Sequence, residues 1–105
     1  MIKVTVFYPN SPGAKFDMDY YVGKHMPLVR EKSGLACKGM AVDQGLAGGA
    51  PGSAATYVAM GHILYGSVEA FRAVFTEHGQ VLLADIPNFT NVQPVIQISD
   101  LKIPA

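Results

Sequence analysis

The 105-residue chain has little charge and a single cysteine. Lysine, arginine, aspartate and glutamate make up 15% of it, against about 25% in ordinary domains. Eight bases cancel eight acids. With no basic excess to neutralise phosphates, nonspecific nucleic-acid binding is disfavoured, and long-range steering of a charged substrate is absent. Cys37 stands alone, so no intrachain disulfide forms, as fits a reducing compartment. No apolar run approaches the ~20 residues that span a bilayer, and the N-terminus carries no basic leader or small-residue cleavage site. The expectation is a cytoplasmic protein with no membrane contact. HExxH, CxxC and paired-carboxylate spacings are missing, and His25, His62 and His78 lie far apart in sequence. No metal site and no cofactor are therefore expected. Gly45, Gly48, Gly49 and Gly52 lack the following Lys-Ser/Thr of a phosphate loop.

What is present is apolar. Half of the residues are hydrophobic, which excludes a disordered chain, and the length suits one domain spanning residues 1–105. Residues 2–8 read as a strand covered on both faces. Pro9-Asn10-Ser11-Pro12-Gly13 breaks it. Asp17 caps a helix in which Met18, Tyr21, Val22, His25, Leu28 and Val29 share one broad face. Pro27 falls inside that pattern and predicts a kink, and Gly34 a stop. A second strand is expected over residues 36–44, a mobile loop over 45–53 and a third strand over 56–65. Ser67 caps a second helix buried through Val68, Phe71, Val74 and Phe75. His78-Gly79 predicts its end or a bend, followed by a short turn at 80–84, a loop at 85–91 and a last strand at 95–101.

The order βαββαβ predicts an α+β, ferredoxin-like fold: one four-stranded antiparallel sheet with both helices on the same face. Val4, Val6, Phe7, Tyr8, Met60, Ile63 and Leu64 leave little polar surface on these strands. The second sheet face is then expected to be buried against another copy of the chain, as a homodimer.

His25 is the foremost candidate for chemistry. Tyr21 lies one turn before it on the apolar side of the helix, which places the imidazole between helix and sheet. An imidazole there suits proton transfer; equally, it could be a buried histidine bonded to Tyr21 or to a carbonyl. His62, within a strand, lines the same pocket or is a satisfied core or interface histidine. Asp85 and Asn88 flank Pro87; Asp85 orients a histidine or acts as a base, unless both residues simply cap turns. Tyr8, Tyr20, Tyr57 and Tyr65 offer hydroxyls or packing surface. Cys37 has no activating neighbours and reads as inert.

The runs FDMDYYVGKHMPLV (16–29), YGSVEAF (65–71) and ADIPNFTNVQPVIQIS (84–99) resemble the EthD family, associated with ethyl tert-butyl ether degradation. Tyr21, His25 and Pro27 match its helical motif, and Asp85, Pro87 and Asn88 its late loop. The resemblance covers nearly the whole chain and implies a dimeric α+β barrel, in which two ferredoxin-like sheets close face to face. It also favours a real pocket at His25, while the loop at 45–53 is individual to this chain.

Two functions follow as expectations. The first is a cofactor-independent enzyme acting on a small apolar organic molecule by isomerase- or monooxygenase-type chemistry, in degradation or secondary metabolism. His25 would be its proton shuttle and Tyr21 and Asp85 its positioning groups, with His62, Asn88 and Tyr65 binding substrate. The second is a noncatalytic protein that binds a small hydrophobic ligand as an accessory of a degradation pathway. Haem binding through His25 is disfavoured, because Arg30 and Arg72 are the chain's two arginines and form no evident pair for the propionates.

Overall fold

A computed structural model describes residues 1–104. Strand β1 spans Ile2–Pro9, β2 Gly39–Gln44, β3 Tyr57–Tyr65 and β4 Val95–Asp100. They form one antiparallel sheet in the order β2-β3-β1-β4, the ferredoxin-like α+β arrangement. Among the described residues no helix is long and apolar enough to cross a membrane.

The sheet register decides which side chains meet the helices. Val4 pairs with Ile63 and Ile98, and Tyr8 with Ala59; Val4, Tyr8, Ala59 and Ile63 are buried in the core. Side chains alternate along a strand, so the opposite face carries Lys3, Thr5 and Phe7 of β1. Beside them stand Leu64, His62 and Met60 of β3, and Ser99, Gln97 and Val95 of β4. That corrects the expectation of an almost wholly apolar second face. Val4, Val6, Tyr8 and Ile63 belong under the helices, and the open face is mixed: apolar around Phe7, Met60 and Val95, polar along Thr5, His62 and Gln97.

The first helical arm is built from three pieces. Helix α1 covers Met18–Tyr20, a π-helical segment covers Tyr21–His25, and helix α2 covers Met26–Ser33. Asp17 caps the start, its carboxylate accepting from the Tyr20 N–H at 3.1 Å. Gly34, at φ +56°, closes the end. Pro27 cannot donate to the carbonyl of Gly23 and its ring crowds that group. The chain answers by widening: the Met26 N–H reaches back to the Tyr21 carbonyl, five residues earlier. This wide turn lies where the kink was expected, and it re-phases the buried face. Tyr21, His25, Met26, Val29 and Ser33 are buried, whereas Val22, expected on the core side, is 52% exposed.

Helix α3 runs unbroken over Val68–Asp85, with the Ser67 hydroxyl accepting from the Ala70 N–H. The expected break at His78-Gly79 does not occur. Gly79 serves packing instead: a Cβ there would sit 3.2 Å from the Phe75 ring. Asp85 is consequently the last residue of a helix rather than part of a loop, and a 3-10 turn, Ile86–Asn88, follows it. Among the described residues of α3, Gly79 alone is fully buried; Val68, Phe71, Val74 and Leu82 pack half-buried against the core, and a cleft remains beneath the helix.

Candidate functional site

Two segments far apart in sequence are stitched together at one end of the cleft. The Asp17 N–H donates to the Phe89 carbonyl at 2.8 Å. The Lys15 N–H donates to Asn91 Oδ1 at 2.8 Å, and the Thr90 hydroxyl donates to the Lys15 carbonyl at 2.6 Å. These bonds hold the start of the first helical arm against the turn that follows α3, and so bring His25 to Asp85.

His25 Nδ1 lies 2.8 Å from Asp85 Oδ2. A carboxylate only accepts, so the pairing assigns the proton to Nδ1 and leaves Nε2 as a lone-pair base. Among the described residues Nε2 has no hydrogen-bond partner, and it is not fully buried, since every fully buried polar side-chain atom among them has one. The ring is 6% exposed, stacks parallel to Tyr21 (centroids 5.5 Å apart, planes at 13°) and leans on Phe89 at 4.7 Å. Tyr8, Phe16, Tyr21 and Phe89 pack mutually edge-on or tilted around it. The imidazole therefore has few ways to rotate.

Asp85 is held just as firmly. An anion at a helix C-terminus faces the negative end of the helix dipole, and donors must offset this. The Tyr20 hydroxyl donates to Oδ1 at 2.7 Å and the Asn88 amide donates to the same oxygen at 2.9 Å. Partial burial pushes the Asp85 pKa up, but hydrogen bonds from Tyr20, Asn88 and His25 outweigh it and hold the carboxyl below its ordinary value. Asp85 is thus a carboxylate at neutral pH. The same bond, from the other side, raises the Tyr20 phenol.

His25 lines a cavity of about 60 Å³ between the sheet and the helices. Its walls are otherwise apolar or aromatic, including Val6, Val29, Phe71, Phe75 and Ile96. Leu83 and Ile96, 43% and 42% exposed, stand at its rim. Tyr65 lines the cavity too, but its hydroxyl is 2.9 Å from Ser33 Oγ in a buried pair. Burial raises its phenol pKa. Tyr21 is 1% exposed, and desolvation pushes its pKa up to about 12. Its hydroxyl lies over the bare Cα of Gly61. Burial and the neighbouring Tyr21 raise the Tyr8 phenol even further. These phenols remain neutral and act as walls and spacers rather than acids.

The structure therefore brings together His25, Tyr21 and Asp85, with Asn88 in the shell behind Asp85 and Tyr65 on the cavity wall. His62 is elsewhere. It belongs to the open sheet face, with Nδ1 3.1 Å from the Thr5 hydroxyl and Nε2 2.7 Å from Asp43 Oδ2. It cannot line the His25 cavity because the sheet lies between them. Phe89 is a site residue to which the sequence assigned no role, and Tyr20, expected only as a hydroxyl or packing surface, donates its hydroxyl to Asp85.

The fold has clear relatives. A model of the EthD domain matches residues 14–93. The crystal structure of an EthD-like protein from Ralstonia eutropha JMP134 superposes with a TM-score of 0.94 at 43% identity, covering 99% of this chain and 94% of that one. An ethyl tert-butyl ether degradation (EthD) family protein from Bacillus halodurans C-125 gives a TM-score of 0.71 at 20% identity, with coverage of 95% and 97%. At the level of fold alone, HapK from Hahella chejuensis gives 0.55 at 13% identity, with coverage of 98% and 96%. No curated protein matches the sequence. Through the domain match and the 43% identical relative, the chain belongs to the EthD family.

Proposed function

We propose that this protein is a cofactor-independent enzyme that moves a proton on a small, apolar organic molecule, in degradation or secondary metabolism. One observation carries the reading: a largely buried imidazole, oriented through Nδ1 by a clamped carboxylate, lines an apolar cavity. Nε2 takes a proton from a weakly acidic C–H or O–H. Asp85 stabilises the imidazolium that forms and keeps the ring from turning. In an isomerisation the same nitrogen returns the proton to a different carbon, with no net change in protons or electrons. In an oxygenation the stabilised carbanion would instead pass one electron to dioxygen, the oxidant; the carbon radical and superoxide combine and, with a proton, give a hydroperoxide, which loses water to leave one oxygen on the carbon as a carbonyl. Tyr21 positions the imidazole by stacking.

The working unit in this reading is a homodimer in the cytoplasm. The apolar part of the open sheet face supports it: Phe7, Met60 and Val95 lie side by side there, where a second copy would cover them.

The test uses α-angelica lactone, whose conversion to the conjugated isomer needs one proton removed and one returned. Wild-type protein should accelerate the change in ultraviolet absorbance. His25→Gln should lose about 10²–10⁴-fold, the usual share of a general base. A rate that is the same with His25→Gln as with wild type would refute the base assignment.

A further inference from the structure

The cavity beside His25 is small, and it does not end at its own wall. Its volume of about 60 Å³ is below the ~150 Å³ of an apolar cavity known to admit benzene. Leu83 and Ile86 form part of its wall, and the same two side chains form the inner wall of a second hollow of about 410 Å³. That outer groove runs along the segment from Pro87 to Pro94, which connects α3 to β4. Leu83 is 43% exposed despite its size, and Gly79, one turn earlier, leaves the Phe75 ring room against the helix. A partition of two aliphatic side chains thus separates the two spaces.

Charge narrows what can occupy them. No charged side chain lines either space among the described residues. The fixed charge touching the site is the Asp85 carboxylate behind His25, and it opposes a second anion. Lys24, the nearby cation, lies over the Tyr20 ring, 5.5 Å from its centroid, and lines neither space. The Gln93 amide, exposed at the groove, is a polar group there without a side-chain partner among the described residues.

We infer that the ligand is divided between the two spaces. Only the hydroxyl of a neutral, weakly acidic head, a phenol or enol, enters the small cavity and donates its O–H to His25 Nε2; the ring or carbon that carries it, too large for about 60 Å³, stays at the Leu83–Ile86 partition. An uncharged hydrocarbon body passes the Leu83–Ile86 partition into the groove of residues 87–94. This rests on the reading of His25 as the base and adds the substrate class and the residue that sets its length. Carboxylates and phosphates are rejected by Asp85 and by the absence of a lining cation among the described residues.

The experiment titrates phenol, 4-ethylphenol, 4-propylphenol and 4-butylphenol into the protein, following the His25 ring protons by NMR, with 4-butylbenzoate as the anionic control. Binding should tighten by about threefold to fourfold for each methylene that leaves water. The benzoate should bind at least tenfold more weakly than 4-butylphenol. Leu83→Trp should flatten the chain-length gradient, and Leu83→Ala should preserve it. Because the gradient is measured first on wild-type protein, a misfolded variant cannot hide the answer. A flat wild-type gradient, or benzoate binding equal to that of butylphenol, overturns the inference. A clear gradient alongside lactone isomerisation indifferent to His25 leaves the two-part site standing and removes the base. Isomerisation that needs His25, alongside a flat gradient, does the reverse.

Discussion

Replacing Gly61 with alanine is a local change whose effect should reach the site. Gly61 sits in β3 opposite Val6, and its φ is not in the left-handed region. A Cβ there costs nothing in backbone strain and by itself would stabilise the chain by about 0.4–1 kcal/mol through the unfolded state. Contact reverses the sign. The added carbon would overlap Tyr21 Oη, with Cζ at 3.2 Å and the Met26 methyl at 3.7 Å. Tyr21 cannot retreat easily, because Tyr8, Phe16 and Phe89 enclose its ring. Overpacking of this kind costs about 1–3 kcal/mol, so Gly61→Ala should be destabilised by about 2 kcal/mol, a fall in Tm of roughly 10 °C. Because Oη makes the worst contact and Cζ a tolerable one, Tyr21→Phe should relieve most of the clash. Tyr21→Phe alone should cost about 1 kcal/mol, yet in the Gly61→Ala background it should be neutral or stabilising. Urea unfolding of the four proteins, followed by circular dichroism, closes the cycle, with a coupling of about 1–2 kcal/mol expected. Additive effects would refute the claim that Tyr21 Oη fills the space above Gly61.

Three further outcomes follow from the buried polar groups. Asp85 has a folded pKa below its ordinary value, so its stabilising contribution is present above about pH 4 and is lost as pH falls through the folded pKa. Wild-type stability should therefore drop more steeply on the acid side than that of Asp85→Asn, measured by urea midpoints from pH 5 to 2.5. Tyr21 titrates near 12 when folded and at its ordinary value of 10.0 when unfolded. Its contribution should be intact below pH 10 and decline between 10 and 12, by about 1.4 kcal/mol per unit. Absorbance at 295 nm should show delayed tyrosine titration whose amplitude falls by one tyrosine in Tyr21→Phe. Ser33→Ala leaves the buried Tyr65 hydroxyl without its partner at 2.9 Å and should cost about 1–3 kcal/mol. A change below 0.5 kcal/mol in chemical unfolding (on the order of an ordinary surface substitution) would contradict that pairing.

The fold was legible because its signals are local. Asp17, Gly34 and Ser67 cap or stop helices through their own backbone chemistry, and the β-branched runs at 2–8 and 56–65 announce strands. His25 and Asp85 were legible as separate candidates, each from its neighbours. Their 2.8 Å contact was not, because it depends on hydrogen bonds between residues 15–17 and 89–91 that no spacing rule reveals. Gly79 misled for a related reason: glycine marks a helix end only where the chain needs its conformational freedom, and here a phenyl ring needs its small size. Of the two readings of His62, the structure shows the satisfied histidine and not the pocket lining; the sequence left both open because period-two alternation says that neighbours face apart without saying which face meets the helices. That required the register of Thr5 against His62.

The wide turn at Tyr21–His25 has a consequence for how this arm tolerates change. It holds one residue more per turn than the helices on either side, and so works as a gear between two periodicities. Upstream, Asp17 and Tyr20 are indexed to the α3 end; downstream, Met26, Val29 and Ser33 are indexed to the sheet. Losing a single residue from the turn would restore a uniform helix and shift one index against the other by about 100°. Either His25 would leave Asp85, or Met26 and Val29 would leave the core. The loop of residues 45–53, rich in glycine and largely exposed, carries no such indexing, and length changes there leave every contact of His25 in step.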